Sequence, residues 1–199
     1  MKKVMFTLMF VTSFLPYVDA QEVVKLSKDQ SSIRWAGSHS FGFGKHDGTV
    51  DLKSGELIIT QGKVTGGKFV LDMNTIVNTD GNYSKKLVDH LKSEDFFNAE
   101  KHPSAALLIT KVHYYDSNNT PGNPIVYFKV NADLIIKGIA QPIEFEAKTN
   151  DQHSEITTMF KIDRTLWGIK YQAKGFAENL KDNIISDAIE FNISLKMDY

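Results

Sequence analysis

His90-Leu91-Lys92-Ser93-Glu94-Asp95-Phe96-Phe97-Asn98-Ala99-Glu100-Lys101-His102-Pro103 is the stretch where the chain stops alternating like a β-strand. Leading into it, Tyr83, Leu87 and Leu91 fall four apart and put one apolar stripe on a helix, with Lys85, Lys86, Asp89 and Lys92 facing water. Asp80 or Asn82 is placed to cap the start of that helix, and Ser93 to cap a second short turn through Phe96 and Phe97. Pro103 has no backbone N–H and rules out a helical continuation. A lone amphipathic helix of about 12 residues is marginal in water, so it needs a surface to lie on. In an otherwise β chain, that surface is the mouth or open side of a barrel.

Outward from the helix the period is two. Ile33-Arg34-Trp35-Ala36 is the first expected strand, and Ser38 to Gly48, rich in glycine and aromatics, reads as a loop or a strongly bent strand. Thr49 to Leu52 and Glu56 to Thr60 read as a hairpin around Lys53-Ser54-Gly55. In Lys63 to Met73, Thr65, Gly67, Phe69, Leu71 and Met73 alternate with Val64, Gly66, Lys68, Val70 and Asp72, and Gly66-Gly67 suggests a bend. Beyond Pro103, strands are expected over Ala105–Tyr115 and Ile125–Lys137, the latter with Phe128, Leu134 and Ile136 on one face. Lys137 to Pro142 reads as a connection into Ile143, Phe145 and Ala147, and further strands carry Ile156 to Ile162 and Ile189 to Met197. Apolar residues alternating with polar ones describe a half-buried antiparallel sheet. About eight such strands with one helix fit a closed antiparallel barrel, which removes exposed edges. At eight strands the interior is filled by side chains or holds one slender ligand.

The first residues describe a leader. Lys2 and Lys3, an apolar run from Val4 to Leu15, and Val18-Asp19-Ala20 have the form of a secretory signal peptide, cut after Ala20. The run is shorter than the roughly 20 residues that span a bilayer. Residues 1–20 are thus expected to be removed, leaving 21–199 as one domain in the periplasm or outside the cell. No cysteine is present, which excludes a lipoprotein anchor, disulfides and a thiol nucleophile. The net charge is −1 with no basic run, so nucleic acid is not an expected partner.

Three motifs carry a family resemblance. His90 to Phe97 closely resembles the His-Leu-Lys-Ser-x-Asp-Phe-Phe motif of the YceI-like family. Ala132-Asp133-Leu134-Ile135-Ile136-Lys137-Gly138-Ile139 is similar to its Gly-Asp-Leu-Thr-Ile-Lys-Gly-Val strand and turn. Ile162-Asp163-Arg164-Thr165-Leu166-Trp167-Gly168 is similar to its Ile-Asp-Arg-Thr-x-Trp/Phe-Gly segment, and Trp35 stands where the first strand carries an aromatic. The resemblance implies an extended eight-stranded lipocalin-like barrel whose apolar tunnel takes up polyisoprenoid or other long-chain lipid. The chain departs from the family pattern at residues 36–48, a shorter segment ending in His46-Asp47-Gly48 that borders the pocket in the family.

On this reading Trp35, Phe41, Phe43, Phe128, Ile136, Phe160 and Trp167 are candidates to line a lipid site. Leu87, Leu91, Phe96 and Phe97 are candidates to cover one end of it, against the plainer alternative that all of these fill an ordinary core. Arg164 could hold a lipid headgroup through a bidentate contact, or could tie a loop to the barrel beside Asp163. The six histidines show neither His-x-His nor His-x-x-x-His spacing, so no metal is expected, although His39 and His46 could converge across the Gly-rich loop. His90 and His102 read as groups that fix the helix motif by bonding to backbone. Without a Gly-x-Ser-x-Gly nucleophile or a polar cluster, the chain reads as a carrier and not an enzyme. The expected ligand is an isoprenoid, quinone-like or acyl lipid and no other cofactor, with no membrane span. Transient membrane contact and a homodimer are both compatible with this. The competing readings are a partner protein that uses a bound quinone or lipid for redox chemistry, and a solid-core stress-related interaction module.

Overall fold

The structure is a computed structural model that describes residues 20–40, 44–81, 84–115, 125–150, 154–176 and 184–198. In chain order the elements are β1 (Gln21–Lys25), β2 (Ser32–Ser38), β3 (Lys45–Thr60), β4 (Lys63–Asn78), α1 (Ser84–Lys92), β5 (Ser104–Tyr114), β6 (Ile125–Ile136), β7 (Ile139–Asn150), β8 (Glu155–Asp163), a 3-10 turn (Arg164–Trp167) and β9 (Ala188–Lys196). All strand pairs are antiparallel, in the order β1-β3-β2-β9-β8-β7-β6-β5-β4, and β4 returns to β3. β1 lies along residues 56–60 of β3 and β2 along residues 45–49. Leu26 then bridges to Met197, so β1 and β2 make up one broken stave between β3 and β9. Nine strands thus close an eight-staved barrel, the all-β architecture with one helix that the alternation predicts.

Three segments differ from expectation for local physical reasons. β1 was not anticipated, because only Val24 of Gln21–Lys25 is buried and the segment has no alternation to read. Lys53-Ser54-Gly55 is not a turn, since β3 runs straight through it with an irregularity in pairing between Leu52 and Ser54. Gly55 serves a close approach instead: a Cβ there would come within 2.7 Å of Leu26 where β1 crosses. β4 continues past Met73 to Asn78, and its pairing with β3 slips at Ile58/Ile59 and at Thr49/Asp51. Each slip resets the side-chain parity, so Val64, Phe69, Met73 and Ile76 are all buried although no single period of two contains them.

The Lys137–Pro142 connection is shorter than expected. Lys137 (φ 51°) and Gly138 (φ 75°) alone make the turn, and β7 begins at Ile139 with Pro142 inside it. Two consecutive residues with positive φ match a type I′ hairpin turn, which suits the strand twist. Gly138→Val is expected to cost about 1–3 kcal/mol by straining that position. The midpoint of chemical denaturation measures this, and an unchanged midpoint would contradict it.

Helix α1 packs on β4 at the barrel end that also carries the Lys137-Gly138 turn and the 3-10 turn. The Ser93 cap differs from that expected. The Asp80 carboxylate bonds His46 Nδ1 at 2.7 Å, and the Ser93 hydroxyl donates back to the His90 carbonyl at 2.7 Å. Asn82 and Tyr83 lie outside the described residues. No helix among the described residues is long and apolar enough to cross a membrane.

Candidate functional site

The inward faces of the staves enclose a cavity of about 150 Å³. Its lining extends along β6 from Phe128 to Ile136, about 26 Å of strand. Among the described lining side chains Thr158 carries the one hydroxyl and Trp35 the one N–H, which it donates to Thr49 O at 3.3 Å, and none is titratable. Such a wall is chemically suited to apolar matter.

The helix end of the barrel is stoppered. At the helix end, Leu91, Phe96 and Phe97 are buried and line the cavity. The motif places them there through its own backbone. Phe97 N donates to Leu91 O (3.1 Å), Asn98 N to Ser93 O (2.8 Å) and Ala99 N to Lys92 O (2.9 Å), while Asn98 takes a positive φ of 48° to turn the chain. The Phe96 ring is held edge-on by His90 at 5.0 Å and lies beneath the Arg164 guanidinium at 5.6 Å. At the far end Phe128 packs on the Tyr114 ring at 5.1 Å, and Val64 N donates to the Tyr114 hydroxyl at 2.7 Å. Burial pushes the Tyr114 phenol above its ordinary pKa, and that hydrogen bond partly offsets the rise.

The candidates from sequence divide by position. Trp35, Leu91, Phe96, Phe97, Phe128, Ile136 and Phe160 line the cavity. Phe41 and Phe43 lie outside the described residues. Leu87 lies instead in a shallow outer pocket with His46, Lys86, His90 and Tyr171. Trp167 is buried beside the barrel end, donating its Nε1–H to Leu134 O at 3.0 Å.

Arg164 is 1% exposed and does not line the cavity. Its Nη1 donates to Ile169 O (2.8 Å), Nε to Ser186 O (3.0 Å) and Nη2 to Ile185 O (3.3 Å). The nearest carboxylate to it is Asp187 at 3.8 Å, while Asp163 caps the 3-10 turn through Thr165. Burial holds the guanidinium below its ordinary pKa, opposed by Asp187 and then Asp163. Arg164 therefore ties the segment around residues 184–187 to the 3-10 turn, the loop-tying role and not the headgroup one.

The described histidines do not gather. His46 bonds Asp80, and the His90 ring contacts Phe96 and Tyr171 instead of backbone. No group of three or more potential metal ligands occurs among the described residues. Sequence reasoning did not single out Phe69, Met73, Ile76, Phe145 or Phe191, all of which line the cavity. For Phe145 and Phe191 the signal was present, since each stands in a clean alternating run. Met73 too stands on one alternating face with Phe69 and Leu71, whereas for Ile76 the slip in β4 conceals the signal.

A family profile described as the YceI-like domain matches residues 25–197. A UPF0312 protein of Shewanella denitrificans is 28% identical over 130 residues, covering 65% of this chain and 62% of that relative, so the match spans less than two thirds of it. Among solved structures, Burkholderia cenocepacia BcnA superposes with a TM-score of 0.61 at 15% identity, covering 85% of this chain and 98% of its own. A polyisoprenoid binding domain from Saccharophagus degradans, implicated in plant cell wall breakdown, gives 0.58 at 14% identity, covering 91% and 100%. These two likenesses concern the barrel itself. With the profile spanning nearly every strand, the chain belongs to the YceI-like family.

Proposed function

We propose that this protein is an exported carrier that sequesters one long-chain lipid, of isoprenoid, quinone-like or acyl type, inside its barrel and does no chemistry on it. The observation that carries this reading is the cavity, whose wall runs most of the barrel's length with a single hydroxyl, that of Thr158, among its side chains. Burial of each chain methylene contributes about 0.8 kcal/mol, so a long chain binds tightly with few polar contacts and little headgroup selectivity. The polyisoprenoid-binding domain that shares the fold supports the chemical class. Export is supported by the leader-like residues 1–20 and by the start of β1 at Gln21. A solid-core interaction module fits less well, because its interior would be closed by side chains. A redox partner would need a polar group beside a bound ring, and among the described residues no titratable side chain lines the space.

Native mass spectrometry of protein recovered from the cell envelope of its own host tests both parts. The expected species begins at Gln21 and carries one lipid. A soluble chain still beginning at Met1 would sink export, and envelope protein without lipid would sink carriage.

A further inference from the structure

The seam between β7 and β8 is unlike the others. β6 and β7 pair at twelve positions, whereas β7 and β8 pair at three, Ala147↔Thr158, Lys148↔Thr157 and Thr149↔Ile156. The Thr158 hydroxyl adds one further link, to Glu146 O at 2.6 Å. Towards the helix end the next tie is Gln141 Nε2 to Leu166 O at 3.1 Å. Between Glu146 and Gln141 lie about 16 Å of strand without a β7–β8 pair.

The sequence prevents this seam from closing. In the hairpin closed by Ile136↔Ile139, hydrogen-bonded and non-bonded pairs alternate, so the non-bonded Asp133↔Pro142 pair turns the Pro142 nitrogen towards β8. Proline has no hydrogen there to donate. Had the register continued, Phe145 would face Phe160. Instead their rings stack at 4.7 Å with 19° between planes, and Phe191 lies 5.4 Å beyond Phe160. All three line the cavity and are only partly buried, whereas the β6 wall, from Phe128 to Ile136, is buried throughout on its inward face.

We propose that this slit is the mouth of the cavity. A single apolar chain slides in sideways between β7 and β8, with the stacked rings of Phe145 and Phe160 as its door. The helix end of the barrel is stoppered by bonded backbone and buried rings, while along this stretch only ring contacts hold the wall together. The same seam lets the wall widen, which a long chain requires, because a cavity of about 150 Å³ holds no more than a benzene-sized group. The polar end of an amphiphile stays outside, beside Glu144 and Lys161. What passes through the mouth rests on the carrier reading; the position of the mouth does not.

The chain has no cysteine, so Val50→Cys places a single thiol on the cavity wall. Its rate of modification by N-ethylmaleimide reports passage into the cavity without any lipid. Adding Phe145→Ala is expected to speed modification about tenfold through loss of the stack, and Leu87→Ala, which loosens α1, to leave it unchanged. Phe160→Leu, which keeps apolar bulk but removes the stack, is expected to act in the same direction and serves if Phe145→Ala does not fold. Acceleration by Leu87→Ala but not by the phenylalanine variants would put the mouth at the helix end and overturn the proposal, as would no acceleration by any of them. Lipid-free wild-type protein would overturn carriage alone, since the labelling rates still locate the mouth.

Discussion

The Leu91→Asp variant is expected to keep its β-type circular dichroism and to lose its lipid. Leu91 is 7% exposed and lines the cavity where α1 stoppers the barrel. The staves pair with one another and not with α1, so closure of the barrel does not depend on this side chain. An unpaired carboxylate at this position costs several kcal/mol in an apolar space. That far exceeds the about 0.8 kcal/mol from each methylene of a chain lying against Leu91. The measurement is lipid extraction from wild type and variant, with spectra of both. A folded variant that still carries lipid would eliminate the role of the helix end in retention. A variant that unfolds would assign Leu91 to the structural core.

Arg164→Met is expected to act on stability and not on binding. Methionine fills much of the arginine's volume but donates to none of the three carbonyls, at Ile169, Ile185 and Ser186, that the guanidinium satisfies. Removing one partner of a buried polar set strands the others, at about 3–5 kcal/mol in all. Arg164→Lys is expected to recover little, because one ammonium does not reproduce the planar fork that reaches three separate acceptors. Urea midpoints at constant slope measure the loss. Were Arg164 instead a headgroup contact, the midpoint would stay and lipid content would fall, which is the outcome that overturns the clamp.

The barrel was legible because alternation is a strong signal wherever one face is buried and the other wet, as in β6, where Phe128, Val130, Ala132, Leu134 and Ile136 are all inward. It fails where the backbone inserts a residue. The slips in β3 and β4 change parity without leaving a mark in composition, which hid Ile76 and made Lys53-Ser54-Gly55 look like a turn. The helix motif placed Leu91, Phe96 and Phe97 together because the spacing of a helix and the position of Pro103 are local facts. Leu87, one turn earlier on the same stripe, faces an outer pocket, since a stripe states which side is apolar and not what covers it. Arg164 could not be assigned from its neighbours in sequence. Its partners sit on Ile169, just past the 3-10 turn, and on residues 185–186, brought to it by the pairing of β8 with β9. Pro142 read as part of a connection, and its meaning as a strand residue depends on knowing which neighbour its nitrogen faces.

β2 is matched to β9, so Arg34 lies opposite Asn192, and the Lys196 amide donates to the Ser31 hydroxyl 165 residues earlier in the chain. The first complete stave and the last one are therefore partners. A nascent chain that has not yet reached residue 188 has every other stave and no ring, with the edges of β2 and β8 both bare. Ordering so long a loop is costly until its closing contacts exist, which makes assembly slow and leaves it waiting on the final strand. The timetable of synthesis itself thus withholds ring closure until the strand that begins at Ala188 has been made. On the export proposed above, passage through a narrow translocation pore would need such a delay, and the order of the strands alone would supply it.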